Sequence, residues 1–144
     1  MTVSEPAAGA QRNPLATGPG RLLVVVYAVF AVSASARSGY QLATRASQAP
    51  VAYTLSLFSA VVYLVATVAL TRAGYRWWRV AVAAVLVEAV GVISVGSWTM
   101  RNPQALGDAT VWSDFGSGYG YVPLVLPLLG LVWLWSRRPV TSNA

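Results

Sequence analysis

The sequence predicts an all-α membrane protein in which four transmembrane helices form a bundle, with both chain termini on the cytoplasmic side. Hydrophobic residues make up 56% of the chain and charged residues only 10%, against about 25% charged in soluble domains. The apolar residues occur in long blocks, whereas a soluble amphipathic helix shows a stripe at intervals of three and four. A chain of 144 residues has no core large enough to bury these blocks, so lipid is the expected solvent.

The missing residue types exclude several classes of membrane redox protein. The chain has no Cys, so it cannot form disulfides, thiolate metal sites, iron–sulfur clusters or a thiol redox relay. It also has no His, which excludes bis-histidine haem and imidazole-bound zinc or copper. Catalysis would need a base and a nucleophile close together, and the acids of the predicted folded part are Glu88, Asp108 and Asp114. We therefore expect no enzyme activity, no catalytic residues, no metal and no cofactor.

Four apolar blocks are long enough to cross a bilayer, which takes about 20 residues as an α-helix. The predicted spans are about 22–42, 51–71, 77–97 and 119–136, within a transmembrane domain over 21–136. Pro50 precedes the second span, as is common at helix starts. Pro123 and Pro127 lie in the fourth span, where neighbouring helices can satisfy the carbonyls that they free and where we expect a bend.

The arginines near the ends of these blocks set the predicted orientation. Of the ten basic residues, all Arg, seven fall on one side of the predicted membrane and three on the other. The seven are Arg12, Arg21, Arg72, Arg76, Arg79, Arg137 and Arg138, and the three are Arg37, Arg45 and Arg101. The arginine-rich side is retained in the cytoplasm. Since the arginines form no basic stripe, the net charge of +6 indicates topology and not nucleic-acid binding.

The two ends of the chain are predicted as cytoplasmic tails. Residues 1–20 mix Pro, Gly, Ser and Thr without an apolar period, so we expect a disordered segment, and residues 137–144 form a second, short tail. The first block has an alternative interpretation, because an apolar run followed by Ala34-Ser35-Ala36 is typical of a secretory signal peptide. Cleavage there would leave three spans. We favour a retained helix, because the region before the run is long and Ala- and Ser-rich helix ends are common in membrane bundles.

Glu88 is the most unusual residue of the predicted spans, because it lies near the middle of the third. An ionised carboxylate at that depth costs at least ~2.5 kcal/mol and must be compensated. It is either a proton or substrate site or a buried group that locks helices together. Tyr63 is the expected hydrogen-bond partner, because Tyr63 and Glu88 each lie nine residues from an inner arginine, which places both about 13.5 Å into the membrane. Arg37, the candidate counter-charge, lies about 10 Å further out.

The connection before the fourth span is predicted to form a helix over 103–115 on the outer membrane surface. Leu106, Trp112 and Phe115 recur on one side of this segment, after an Asn-Pro start. Asp108 and Asp114 suggest a cation site, but two carboxylates without further ligands are a poor set for Ca²⁺. We therefore predict an interfacial helix without a bound metal.

Gly118, Tyr119 and Gly120 are similar to the GYG of potassium-channel filters, and a helix before such a motif has the right order of elements. Gly116 and Ser117 stand where those filters have Thr and Val. We therefore favour glycine-assisted entry into the fourth span.

The segment WSDFGSGYGYVPLVLPLLGLVWLW, Trp112 to Trp135, resembles the end of uncharacterised small four-span integral membrane proteins of high-GC Gram-positive bacteria. The resemblance covers the last sixth of the chain and implies a multi-pass protein of a bacterial cell (plasma) membrane. Because no activity is assigned to that group, it transfers no catalytic residue.

Two functions from different classes fit these features. The first is a non-catalytic accessory or scaffold subunit, which packs small-residue faces in the lipid bilayer against a second copy or a larger membrane complex. The alternative is a small proton-coupled transporter or channel that uses Glu88. It would resemble the compact four-helix multidrug exporters, in which one intramembrane Glu exchanges protons for cationic substrates. This chain departs from their pattern, because its Glu is in the third span and its Arg asymmetry disfavours dual topology.

Overall fold

The computed structural model describes residues 18–138, and all regular structure within them is helical, as predicted. The elements are α1 (Pro19–Arg45), α2 (Pro50–Thr71), α3 (Tyr75–Arg101), a 3-10 helix (Ser113–Tyr119) and α4 (Val122–Ser136). α1, α2 and α3 are long and apolar enough to cross a membrane. The predicted tails lie largely outside the described residues, but Pro19 and Gly20 already belong to the first turn of α1.

Short connections make consecutive helices antiparallel neighbours. Pro19 and Pro50 occupy the first turns of α1 and α2, where the N–H that proline lacks has no helical partner in any case. Residues 46–49 join α1 to α2, and residues 72–74 join α2 to α3. We call the end where α1 begins and α4 ends the termini end, and the end that carries 46–49 and 102–121 the loop end.

Small residues allow the helices to approach closely. The buried alanines are Ala31 and Ala34 of α1, Ala52, Ala60, Ala66 and Ala69 of α2, and Ala81 and Ala84 of α3. Such residues let membrane helices gain van der Waals contact, which is the main attraction between helices in lipid. α1 packs most extensively on α2, followed by α2 on α3 and α3 on α4, whereas the contact between α1 and α4 is small. The bundle is therefore open along its α1–α4 side.

The predicted fourth span, 119–136, is shorter and more broken than expected. α4 has 15 residues, which is about 22 Å and less than the ~30 Å hydrocarbon core. The 3-10 helix before it lies at 99° to its axis. The bend falls before the prolines, at Gly120 and Tyr121, whose φ values of 65° and 60° are left-handed. Pro123 and Pro127 instead lie buried inside α4.

The prediction of a helix over 103–115 is wrong. Residues 103–112 form turns and bends, and Gly107 with φ 73° has a backbone conformation that a right-handed helix cannot contain. The Asp108 carboxylate accepts a hydrogen bond from the Ala109 N–H, the kind of local bond that competes with helix formation. Leu106 and Trp112 are buried inside the protein and do not lie on a membrane surface.

A tryptophan ties α3 to α4 at the termini end. The Trp78 indole N–H donates to the Leu134 carbonyl at 2.8 Å, one of the last carbonyls of α4, which a helix end leaves without a helical donor. The Arg138 guanidinium lies over the rings of both Trp78 and Trp135. These contacts fix the end of the shortest helix.

Candidate functional site

Glu88 lies at the centre of the bundle. It is thirteen residues from each end of α3, and its side chain is 0% exposed. Val85 and Val92, on the same face of α3, are also fully buried. The carboxyl group is therefore enclosed by apolar packing at the middle of a helix that is long and apolar enough to cross a membrane, where an acid is rare and needs a partner.

The partner of Glu88 is Tyr27 of α1, so the prediction of Tyr63 is wrong. The Tyr27 hydroxyl donates to Glu88 Oε2 at 2.6 Å. The Tyr63 hydroxyl instead accepts a hydrogen bond from the Trp112 indole N–H at 3.0 Å. The ring of Tyr63 still contacts that of Tyr27, with 6.2 Å between centroids. Tyr63 therefore lies next to the phenol that bonds the acid, while its own hydroxyl contacts the loop residue Trp112.

Arg37 lies away from Glu88, at the loop end. Its guanidinium donates to the Tyr119 hydroxyl at 2.6 Å and to the Ala109 carbonyl at 3.3 Å. These bonds connect α1 to the segment that precedes α4. Arg37 thus holds the loop in place and is not the counter-charge of the buried acid.

The second oxygen of Glu88 has no hydrogen-bond partner among residues 18–138. A carboxylate oxygen can accept two hydrogen bonds, and an unsatisfied buried polar atom calls for an explanation. Four other buried side-chain atoms in the described part share this condition: Ser35 Oγ, Gln41 Oε1, Ser56 Oγ and Trp133 Nε1. Of the five, Glu88 alone is an acid, so its carboxyl group alone has both a neutral and an anionic form.

Residues 110–116, which we call the plug, fill the loop end between α2 and α3. The Trp112 ring packs edge-on against Phe58 of α2, with 6.1 Å between centroids, and Trp112 is only 2% exposed. A Cβ added at Gly91 would lie 2.5 Å from the Trp112 ring, and one at Gly96 would lie 2.5 Å from the Phe115 ring. The two glycines of α3 therefore form notches that receive the plug.

The plug lies on the loop-end side of Glu88. Gly91 follows Glu88 by three residues and lies on nearly the same face of α3, so the indole sits one helical turn above the acid. The plug is anchored where the Asp114 N–H donates to Thr99 Oγ1 at 2.8 Å. Asp114 and Phe115 have left-handed φ values of 50° and 59°, which are uncommon for such residues and mark a constrained turn.

A column of aromatic rings runs from the loop end to the acid. Tyr119 contacts Phe30, Phe30 contacts Tyr63 and Tyr63 contacts Tyr27, with centroid separations of 5.8, 5.5 and 6.2 Å. Such packing excludes water. The arrangement can hold a carboxyl in a dry interior, and it gives the carboxyl one hydrogen-bond donor.

Asp108 and Asp114, the two acids of the loop, have different surroundings. Asp108 accepts from the Tyr53 hydroxyl at 3.2 Å and from the Ala109 N–H at 2.7 Å, which shapes the turn. Asp114 is exposed. Within residues 18–138, no three His, Cys, Asp or Glu side chains gather in a way that could hold a metal ion.

Tyr27 and Trp112 are the site residues that the sequence analysis missed. Tyr27 lies deep inside the apolar block of the first span, and a buried Tyr hydroxyl usually has a hydrogen-bond partner. That rule could have singled it out. Trp112 carried no equivalent signal, because the Gly91 notch that accepts it is visible only when α3 and the loop are brought together.

We predict that Tyr27 and Glu88 are energetically coupled. Tyr27→Phe should lower the free energy of unfolding by about 0.6 to 2 kcal/mol, the range of interhelical hydrogen bonds in membranes. The effects of Tyr27→Phe and Glu88→Leu should be less than additive, because each removes the same bond. Unfolding of the purified protein in detergent measures this, with the exposed Tyr40→Phe as the matched control. Additive effects would argue against the bond.

We also predict that Gly91→Ala displaces the plug, because the added methyl group would collide with the Trp112 ring. The chain has no Cys, so a Val111→Cys substitution offers one buried thiol in the plug. Its rate of labelling by a membrane-impermeant maleimide should rise at least about tenfold when Gly91→Ala is added. A tenfold rise corresponds to a free energy of plug opening that is lower by ~1.4 kcal/mol. Gly39→Ala is the control, since a Cβ at Gly39 meets nothing within 4 Å. Equal labelling of Val111→Cys with and without Gly91→Ala would mean that the position of the plug does not depend on the notch at Gly91.

Comparison of the chain with protein-family models, with curated proteins and with solved structures finds no significant match. No role for Glu88 is therefore transferred from a relative.

Proposed function

We propose that the protein is a non-catalytic accessory or scaffold subunit of a bacterial plasma-membrane complex. The observation that carries this proposal is the filled interior of the bundle. Glu88 is fully buried and bonded to Tyr27, and the plug fills the space between α2 and α3 on its loop-end side. A bundle that fills its interior with its own side chains has its outward faces left for contact with other molecules.

The outward faces support this proposal. Apolar side chains are exposed along α1 and along α4, including Val25, Val29 and Val32 of the first and Leu128 and Val132 of the second. In lipid these faces are stable, and they can also pack against another membrane helix, because association there depends on van der Waals fit and not on hydrophobicity. A second copy or a larger subunit is the proposed partner.

The purification of the full-length chain from its native membrane tests this role. The scaffold proposal expects a stable larger partner or a homo-oligomer that survives mild detergent, and Glu88→Gln should leave this assembly intact because the amide oxygen still accepts from Tyr27. Recovery of a monomer without a partner, at native expression, would contradict the proposal.

A second candidate function is a small proton-coupled transporter or channel that uses Glu88. The unpartnered Oε1 favours it, because a buried acid with a free acceptor position can take a proton or a cationic group. In proteoliposomes, this function expects that Glu88→Gln abolishes a proton-coupled flux of an organic cation such as ethidium, while Glu88→Asp retains part of it. If Glu88→Gln abolishes the flux while assembly is unchanged, the transporter or channel function replaces the scaffold proposal.

We further propose that both termini face the cytoplasm and that α1 is retained in the mature protein. Among the described residues, six of the arginines lie at the termini end or in the 72–74 connection and the start of α3, against Arg37, Arg45 and Arg101 at the loop end. Removal of α1 would also uncover its extensive contact with α2.

The predicted topology can be measured with reporter fusions. A reporter that is active only outside the cytoplasm should be inactive after residue 144 and active when inserted at Ala105, which is exposed in the loop. We choose the loop for the insertion because exposed loop tips tolerate inserted domains best, so the fusion should still fold. Activity at residue 144 would reverse the orientation.

A further inference from the structure

An apolar groove runs along the open side of the bundle, between α1 and α4. It encloses about 620 Å³. Its walls are aliphatic for most of their length, formed by Leu22, Leu23 and Val26 of α1 and by Val125, Leu129 and Val132 of α4. The groove follows α4 from Val122 to Ser136, which is about 22 Å. The three consecutive helix pairs pack on each other more extensively than α1 packs on α4, so this seam offers room for a molecule from outside the chain.

The termini end of the groove is basic. Arg21 lies between the groove-lining residues Pro19 and Leu22, and Arg137 directly follows the groove-lining Ser136. Both arginines are exposed. The acids of the described part, Glu88, Asp108 and Asp114, lie in the middle of the bundle or at the loop end. The positive charge at this mouth is therefore not neutralised by the described residues.

An aliphatic channel with a basic mouth fits an anionic phospholipid. An acyl chain spans one leaflet, about 15 Å of hydrocarbon, which is less than the ~22 Å over which α4 lines the groove. Basic pockets between membrane helices bind anionic headgroups, and the cytoplasmic leaflet, where our proposed topology places this end, is rich in them. Zwitterionic lipid would fit the channel equally well but would gain less from the two arginines.

A second copy of the chain fits this groove less well. Two copies in one membrane share the same orientation, so a symmetric contact through the α1–α4 seam would bring their termini ends together. Arg21 and Arg137 of one copy would then face those of the other, and such like-charge juxtaposition opposes association. The charge therefore distinguishes the lipid from the protein occupant.

We propose that the α1–α4 groove binds an anionic phospholipid, with an acyl chain between Leu22, Val26 and Leu129 and the phosphate against Arg21 and Arg137. The lipid fills the seam that the short α4 leaves open. This site is separate from Glu88, and its existence does not depend on the scaffold or transporter role.

The chain offers a closely matched pair of variants to test the groove. Leu128 and Leu129 are adjacent in α4 and are 55% and 56% exposed, but Leu129 lines the groove and Leu128 does not. Leu129→Trp should fill the channel, whereas Leu128→Trp should add the same ring to the outer face. Native mass spectrometry of the purified full-length chain, titrated with phosphatidylglycerol or phosphatidylcholine, measures the bound lipid.

The wild-type chain should retain phosphatidylglycerol in preference to phosphatidylcholine. Leu129→Trp should lower phosphatidylglycerol occupancy at least about tenfold, the effect of ~1.4 kcal/mol, and Leu128→Trp should leave it unchanged. Arg21→Gln and Arg137→Gln should each reduce the preference for phosphatidylglycerol by about fivefold, which corresponds to ~1 kcal/mol per arginine. Arg45→Gln, at the loop end, is the control and should have no effect.

Three results would overturn the proposal. Equal retention of the two lipids would indicate ordinary annular lipid without a headgroup site. Equal effects of Leu128→Trp and Leu129→Trp would show that the groove is not where lipid binds. A dimer that Leu129→Trp dissociates, with no lipid lost, would identify a second copy as the occupant. Circular dichroism and monodispersity of each variant separate these results from misfolding.

Discussion

A carboxyl group at the centre of a membrane helix must find its partner inside the protein, and Glu88 finds it in the Tyr27 hydroxyl. The bond ties α1 to α3, two helices that are not consecutive in the chain. It also fixes how α1 is rotated, because a phenol can reach the acid from only one face. The burial of Ala31 and Ala34 on that helix follows from the same rotation.

The plug and the acid belong to one layer of packing. Trp112 enters between α2 and α3, where Gly91 leaves room for its ring, and it takes the Tyr63 hydroxyl as its acceptor. Tyr63 lies beside Tyr27 as a ring neighbour, and Tyr27 is the phenol that donates to Glu88. A loop of this kind can lie at membrane depth only because protein surrounds it, since backbone in lipid must be satisfied internally. The loop is therefore part of the core, although it connects two helices.

The sequence was sufficient for the long elements and for the presence of a buried acid. Proline and arginine mark the ends of α1, α2 and α3, and a charged residue within an apolar block stands out without any structure. The partner of Glu88 could not be predicted from the sequence. Counting residues gives the depth of a side chain along a helix, but it does not give the rotation of that helix about its axis. The 103–115 segment was misjudged for a similar reason: its apolar period reflects insertion into the bundle, while Gly107 breaks the helix that the period suggests.

α4 differs in length from the helices that surround it, and the membrane must respond to that difference. α1 and α3 each have 27 residues and α4 has 15, so the protein presents a tall wall on one side and one of about 22 Å on the other. A bilayer adjusts to a short hydrophobic wall by local thinning, at fractions of a kcal/mol per Å of mismatch. The protein therefore matches a thicker bilayer on the side of its long helices than on the side of α4. Its distribution within a membrane should follow local bilayer thickness and deformability.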